Sequence, residues 1–245
     1  DTIRGVSNSI YSNTTGNQYF GSGFFNTSFN PNGFTVSDNA AGNYGVNGNP
    51  GTGIDYVAWC WKAGGLPTIN TDGSITSLVS ANQAAGFSVV KYINPATGAP
   101  HTIGHGLGTG NAPKLIILKT LGSIINWFVY SPAGTGVELN LNTSIPVAND
   151  PFRWANTAPN DEVFTIGTSF QYSVYAGDTI AYCFADIAGY QKVGSYTAGS
   201  LPRVIYTTDD GTSGGANGFL PRFLMIKSAD VGSTSWVIVD SSRGT

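Results

Sequence analysis

Two histidines are the first side chains whose types and spacing could support catalysis or metal binding. His101 and His105 stand four residues apart, a spacing that places two ligands on one face of a helix. Gly104, Gly106 and Gly108 oppose a helix, and no third histidine or nearby cysteine completes a ligand set. A turn with structural histidines is therefore the expected arrangement, and a serine–histidine mechanism is not indicated.

Adjacent acidic residues are the second candidate for chemistry. Asp161 with Glu162, and Asp209 with Asp210, could supply the two carboxylates of a glycoside hydrolase. Neighbouring residues on a strand point to opposite faces, and turn residues flank both pairs, so neither pair is expected to face a shared cleft. Oxygen atoms around Asp209 could alternatively bind calcium, although the spacing is not that of an EF-hand. We therefore predict no catalytic residue, no metal ligand, no cofactor and no enzymatic activity.

Aromatic residues in polar loops are the third candidate, and the chemistry they suggest is stacking on a sugar ring. Trp154 follows Asp150 and Arg153 in one polar loop, and Tyr172 and Tyr175 lie in the loop before a later strand. An exposed ring beside charged groups is typical of a glycan contact. The alternative is that these rings fold back over the core.

Composition limits the partners of the chain. Only 10 % of the 245 residues are charged and the net charge is −3, so there is no basic surface for nucleic acid. No apolar stretch approaches the ~18 residues of a membrane span, so no membrane insertion is expected. Cys60 and Cys183 are too few for a disulfide framework, and we expect two free thiols buried in strands.

An internal repeat organises the strands that position these side chains. Residues 112–119 recur at 220–227, and the blocks end in Lys119 and Lys227, which we expect to extend from strand ends into solvent. Four further pairs of blocks repeat: 127–130 with 236–239, 56–61 with 179–184, 33–36 with 163–166, and 86–90 with 189–193. The distances between blocks vary, as expected when strands are kept and loops change length.

The repeat divides the chain into one complete unit and two complementary halves. Residues 86–188 hold the complete unit, residues 1–65 the second half of a unit and residues 189–245 the first half of one, with residues 66–85 as a linker. Because a half sheet leaves an edge strand with unpaired main-chain N–H and C=O groups, each half needs a partner. We favour pairing of 189–245 with 1–65 inside the chain, and the alternative is pairing with a neighbouring repeat or subunit.

Strand patterning predicts an all-β fold. Residues 115–118 are continuously apolar, as in a strand buried on both faces, and large and small side chains alternate over 181–184. Turn signals recur at intervals of about 8 to 12 residues, which is typical of a sandwich or barrel. We expect tandem antiparallel β-sandwich units, and at most a short helical turn at 77–85.

Six of the sequence blocks also carry a family resemblance. In chain order they are DTIRG at 1–5, YVAWCWK at 56–62, NTDGSI at 70–75, IGHGLG at 103–108, APKLII at 112–117 and IAYCFA at 180–185. Together they resemble a repeat family of virion proteins of tailed bacteriophages, especially marine ones. The resemblance covers nearly the whole chain.

The resemblance implies a concanavalin-A-like or jelly-roll sandwich in a tail fibre, tail tip or capsid appendage. Localisation would be the virion, an extracellular particle assembled in the host cytoplasm. Expected partners are other copies of the chain, other virion proteins and a host-surface glycan. The loops at 93–100 and 132–137 depart from the family pattern, and a ligand preference would differ there. A stand-alone, lectin-like carbohydrate-binding module is the alternative function.

Overall fold

The fold is all-β, as the strand patterning predicts. A computed structural model of the 245-residue chain describes residues 1, 3–5, 8–20, 28–36, 55–98, 100–199 and 202–242. Three short 3-10 turns at Gln83–Ala85, Thr168–Phe170 and Ser173–Tyr175 accompany the strands. In chain order the strands are β1 Asn8–Ser9, β2 Tyr19–Phe20, β3 Ser28–Asn30, β4 Gly33–Thr35, β5 Thr68–Asn70, β6 Ser77–Asn82, β7 Phe87–Asn94, β8 His101–Gly104, β9 Pro113–Thr120, β10 Phe128–Tyr130, β11 Val137–Asn140, β12 Ala148–Asn149, β13 Val163–Ile166, β14 Gly177–Ala185, β15 Phe223–Ile226 and β16 Val237–Asp240.

Eight strands form one antiparallel sheet in the order β12-β11-β10-β9-β14-β7-β6-β5. β14 lies between β7 and β9, which suits its Ile180, Ala181 and Cys183, all fully buried. Pro113 opens β9, the strand position at which a missing N–H costs least. The pair β8–β13 covers one face of this sheet as a second layer.

The core lies between the sheet and the β8–β13 layer. Ile103 and Phe164 of the second layer pack with Val90, Ile116 and Leu118 of the sheet. On the opposite face a smaller cluster forms around Phe87, Val89, Leu121 and Ile180, against which Ile3 and Ile10 pack. Burial of apolar surface on both faces stabilises the central strands of the sheet.

The linker predicted at residues 66–85 is wrong, because this segment supplies two strands of the main sheet. β5 pairs with β6, and β6 pairs with β7 from Ser77 to Asn82. Val79 and Ser80 are buried, so the segment contributes to the packed sheet. Residues 77–85 hold a strand followed by a 3-10 turn and not a helical turn alone.

Two hairpins formed by the paired sequence blocks have the same strand register. Lys119 lies next to the end of β9 and Lys227 directly follows β15, and β15–β16 repeats the antiparallel pairing of β9–β10 residue for residue. The matching pairs are Leu118–Phe128 with Ile226–Val237, Ile117–Val129 with Met225–Ile238, and Ile116–Tyr130 with Leu224–Val239.

A second pair of hairpins is equivalent in the same way. β1 pairs with β2 through Asn8–Phe20 and Ser9–Tyr19. β11 pairs with β12 through Val137–Asn149 and Glu138–Ala148. Each β11–β12 residue lies 129 positions after its β1–β2 counterpart. Sequence patterning does not predict this repeat, because the four paired strand residues all differ and only Asn13-Thr14 recurs, at Asn142-Thr143.

Two equivalent hydrogen bonds hold the β1–β2 hairpin against β9–β10 and the β11–β12 hairpin against β15–β16. The Trp127 indole Nε1–H donates to the Tyr11 carbonyl at 2.9 Å, and that of Trp236 donates to the Asn140 carbonyl at 2.9 Å. Tyr11 and Asn140 are equivalent positions. A second, main-chain bond is also repeated: Gln18 N–H to the Leu121 carbonyl (2.7 Å) and Val147 N–H to the Ala229 carbonyl (2.8 Å). We call these contacts the tryptophan docks.

The tryptophan docks give a paired prediction. Trp127→Phe removes the indole donor, so amide hydrogen exchange at residues 8–20 is expected to rise, with about 1 kcal/mol lost from the local opening free energy. Trp236→Phe should raise exchange at residues 137–149 and leave residues 8–20 unchanged. The measurement is hydrogen exchange read by mass spectrometry. Equal effects of both variants on both segments would contradict the docks.

The two predicted half units, residues 1–65 and 189–245, contact each other through aromatic rings. Trp59 and Trp61 lie edge-on to Phe223 of β15, at centroid distances of 5.4 and 5.9 Å. Closure of residues 1–65 and 189–245 into a second unit stays a prediction.

Both cysteines are free thiols; Cys183 is buried as expected, but Cys60 is exposed. No helix among the described residues is long and apolar enough to cross a membrane.

Candidate functional site

Asp150 organises the loop that follows β12. Its carboxylate accepts the Phe152 N–H at 3.0 Å, and its carbonyl accepts the Arg153 N–H at 3.2 Å, which closes a turn of the kind that aspartate favours. Ser169 Oγ donates to both carboxylate oxygens at 2.8 and 2.9 Å. Asp150 therefore ties residues 150–153 to the 3-10 turn at Thr168–Phe170.

Gly167 allows these two loops to approach closely. Its N–H donates to the Arg153 carbonyl at 2.8 Å. A Cβ at this position would lie 1.9 Å from the Phe152 carbonyl oxygen, so any larger residue would push the loops apart.

Arg153 is buried beneath the loops, and acidic groups and aromatic rings surround it. Its Nη2 lies 2.5 Å from Glu138 Oε2 and 3.1 Å from Asp150 Oδ2. The guanidinium carbon lies 4.3 Å from the ring centroid of Phe128 and 4.8 Å from that of Phe170. Nε and Nη1 have no hydrogen-bond acceptor among the described residues. The aromatic rings stabilise the guanidinium there through cation–π contacts instead of hydrogen bonds. Arg153 is therefore a positioning residue rather than an exposed ligand contact.

Trp154 is a core residue, so its interpretation as a glycan platform is wrong. Only 1 % of its surface is exposed. The ring packs edge-on against Tyr130 at 5.6 Å and against Phe170 at 6.1 Å. The turn begun by Asp150 directs the side chain inward, and the alternative of a ring folded over the core is confirmed.

Two exposed rings remain above this buried cluster. Tyr172 is 62 % exposed, as expected for a contact residue, whereas Tyr175 packs against Phe128 and Phe170. Phe152, which sequence reasoning missed, is also 62 % exposed. The bond from Ser169 N–H to the Phe152 carbonyl places the two loops side by side. We call Phe152 and Tyr172 the exposed-ring pair. The sequence signal that could have predicted Phe152 is an apolar ring inside the turn that the Asp150 side chain closes.

The histidines have structural roles. His101 Nε2 lies 2.9 Å from the Thr97 carbonyl. His105 is fully buried; its Nδ1 accepts the Leu107 N–H at 3.2 Å, so Nε2 carries the proton and donates to the Asn160 carbonyl at 2.9 Å. Within the described part of the chain, no group of three His, Cys, Asp or Glu side chains could hold a metal ion.

Burial of His105 gives a pH prediction. Burial lowers the pKa of His105 below its usual 6.5, so the unfolded chain takes up a proton that the folded chain resists. The free energy of unfolding should therefore fall as pH drops below about 6.5, by up to ~1.4 kcal/mol per pH unit from this group. His105→Gln should flatten this slope in urea unfolding between pH 7.5 and pH 5.5. An unchanged slope would show that other groups cause it.

The Asp209–Asp210 turn uses its oxygens internally. Asp210 accepts the Thr212 N–H at 2.9 Å and the Thr212 hydroxyl at 3.0 Å, and these bonds lower the pKa of Asp210. Asp209 accepts the Asn217 amide at 2.7 Å. Residues 211–215 match the spacing Gly-x-Ser-x-Gly of a nucleophile elbow. They form a bend followed by a turn, whereas a nucleophile elbow joins a strand to a helix.

The geometry defines a class: a repeated, antiparallel, two-layered β protein whose loops present aromatic rings over a buried ionic cluster. Within that class the chain belongs to the family described as domain of unknown function DUF7483, which matches residues 1–245. Neither the curated proteins nor the solved structures contain a match to the chain.

Proposed function

We propose that this protein is a non-enzymatic virion structural protein of a tailed bacteriophage, a tail-fibre or capsid-surface subunit that self-associates and contacts host glycans. The observation that carries the proposal is the repetition of the tryptophan docks, in which Trp127 and Trp236 use equivalent main-chain acceptors. Contacts that repeat along a chain suit the building blocks of an extended particle. The resemblance of the sequence blocks supports the same class.

Purified particles test the structural role. Antibody raised against the chain should label virions of a phage that encodes it, at the tail or at the capsid surface, in negative-stain electron microscopy. Mass spectrometry of gradient-purified virions provides a second readout. If the chain is expressed during infection but is missing from purified particles, the structural role is wrong.

The second candidate function is a stand-alone, lectin-like carbohydrate-binding module. The exposed-ring pair favours it, since Phe152 and Tyr172 stand on loops fixed by the buried Arg153 cluster. Aromatic rings on a rigid base offer stacking surface to a sugar at little cost in conformational entropy.

Glycan binding through the exposed-ring pair has a direct test. Tyr172→Ala and Phe152→Ala should each weaken binding to a glycan-array hit by about fivefold, since each removes a stacking ring worth roughly 1 kcal/mol. Tyr190→Ala is the matched control, because Tyr190 is similarly exposed (60 %) and lies outside these loops. Binding that survives both ring substitutions would place the glycan elsewhere, and an array without hits would exclude the adhesive role.

A further inference from the structure

One face of the β15–β16 hairpin is apolar and exposed. Leu224 and Val239 face each other across this hairpin, as do Ile226 and Val237. The exposed fractions are 43 % for Leu224, 54 % for Val237 and 53 % for Val239. An apolar sheet face of this kind is typical of a surface that another element covers.

The equivalent face in the complete unit shows which element that is. The equivalent residues Ile116, Leu118, Phe128 and Tyr130 are at most 9 % exposed. Phe170 packs against Phe128 at 5.3 Å, and Trp154 packs against Tyr130 at 5.6 Å. Both covering residues belong to the second half of the unit, which follows β11 and β12 along the chain. The β15–β16 face is therefore equivalent to the face that the second half of a unit covers in residues 86–188.

The second half near the start of the chain has a complementary exposed face. Phe34 of β4 is equivalent to Phe164 of β13, but it is 44 % exposed where Phe164 is fully buried. Phe29, opposite Phe34 in the β3–β4 hairpin, is 53 % exposed. Phe34 and the β15–β16 face thus present side chains whose equivalents form the core of the complete unit, and Phe29 adds a second ring beside Phe34.

The contact between the ends of one chain leaves these faces exposed. Phe223, which meets Trp59 and Trp61, alternates with Leu224 along β15 and so points to the opposite face of the hairpin. The β1–β2 hairpin of the same chain is held elsewhere, by the Trp127 dock and by Lys119 Nζ, which donates to the Thr15 carbonyl at 3.0 Å.

We propose that a second copy of this chain covers the β15–β16 face with its β3–β4 hairpin, so that copies associate head to tail. The contact joins Leu224, Val237 and Val239 of one copy to Phe29 and Phe34 of the next, and it rebuilds the two-half packing of residues 86–188 between chains. Such an interface joins two different surfaces and can propagate. The inference deepens the proposed self-association and names its surfaces.

Complementary variants test the inference. Val239→Lys and Phe34→Lys each place a charge on one of the two faces, so each variant alone should sediment as a monomer under conditions in which the wild-type chain forms dimers or longer species. A one-to-one mixture should form a dimer, because each variant keeps the face that the other has lost. Ile93→Lys, at a position of β7 that is 66 % exposed, is the matched control and should associate like the wild type.

Analytical ultracentrifugation of the 245-residue chain separates the outcomes. A wild-type chain that stays monomeric up to its solubility limit overturns the inference, and so does a mixture that stays monomeric. If both variants remain monomeric on mixing and also lose thermal stability, the halves close within one chain instead. Because sedimentation measures association alone, the result is independent of whether virions contain the chain or a glycan binds it.

Discussion

Replacing Arg153 by methionine is expected to lower the free energy of unfolding by about 3–5 kcal/mol, the largest effect of any charged residue discussed above. Arg153 is 6 % exposed, and its loss would leave Glu138 and Asp150 without their cation in a mostly buried site. It would also remove the guanidinium that packs against Phe128 and Phe170. Chemical denaturation at pH 7 measures the change.

Two further variants identify the cause of that loss. Arg203→Met, at an exposed position, should change the stability by no more than about 0.5 kcal/mol. Glu138→Gln introduced together with Arg153→Met should recover part of the loss, because one uncompensated carboxylate is removed. A double variant as unstable as the sum of the single variants would mean that Arg153 acts through packing alone.

Replacing Lys119 by methionine is expected to cost about 3 kcal/mol. Lys119 was expected to reach solvent, but it is fully buried, and its ammonium donates to the carbonyls of Thr15, Ser123 and Ile125 at 3.0, 3.2 and 2.6 Å. Burial lowers the pKa of Lys119 to about 8, which still leaves most of it charged at pH 7. Methionine matches the length of the side chain but leaves three carbonyls without this donor.

The repeat supplies the matched control for Lys119. Lys227 occupies the equivalent strand end but donates only to the Ser228 carbonyl and the Thr234 hydroxyl from a half-buried position. Lys227→Met should therefore cost about 1 kcal/mol or less. Lys119→Met should also raise amide exchange around Thr15, since the lysine anchors the first hairpin. Equal costs at the two lysines would show that burial of Lys119 is without energetic consequence.

Sequence patterning predicted the parts of the fold that rest on local periodicity. The apolar run at 115–118 and the alternation over 181–184 lie in β9 and β14, and the paired blocks 112–119 and 220–227 form equivalent strands. β5 and β6 were missed, because a short strand among polar turn residues has too weak a pattern.

The candidate site could be predicted only in part, because its geometry depends on contacts between distant positions. Arg153 and Glu138 lie fifteen residues apart and meet because the β11–β12 hairpin folds back on itself. The local signal that separates Phe152, which points to solvent, from Trp154, which points into the core, is the position of Phe152 inside the Asp150 turn. The turn around Asp150 decides which ring is exposed, and that turn depends on Ser169.

The tryptophan docks have a consequence for how these repeats can diverge. One partner in each dock is a side chain, Trp127 or Trp236, but the other is a main-chain carbonyl, which every amino acid carries. Tyr11 and Asn140 share this role and have no chemistry in common beyond it. The docking hydrogen bond itself therefore places no requirement on residue type at the acceptor position, and a substitution there can leave this bond in place. The spacing of a tryptophan from its hairpin is therefore a better guide to related chains than residue identity.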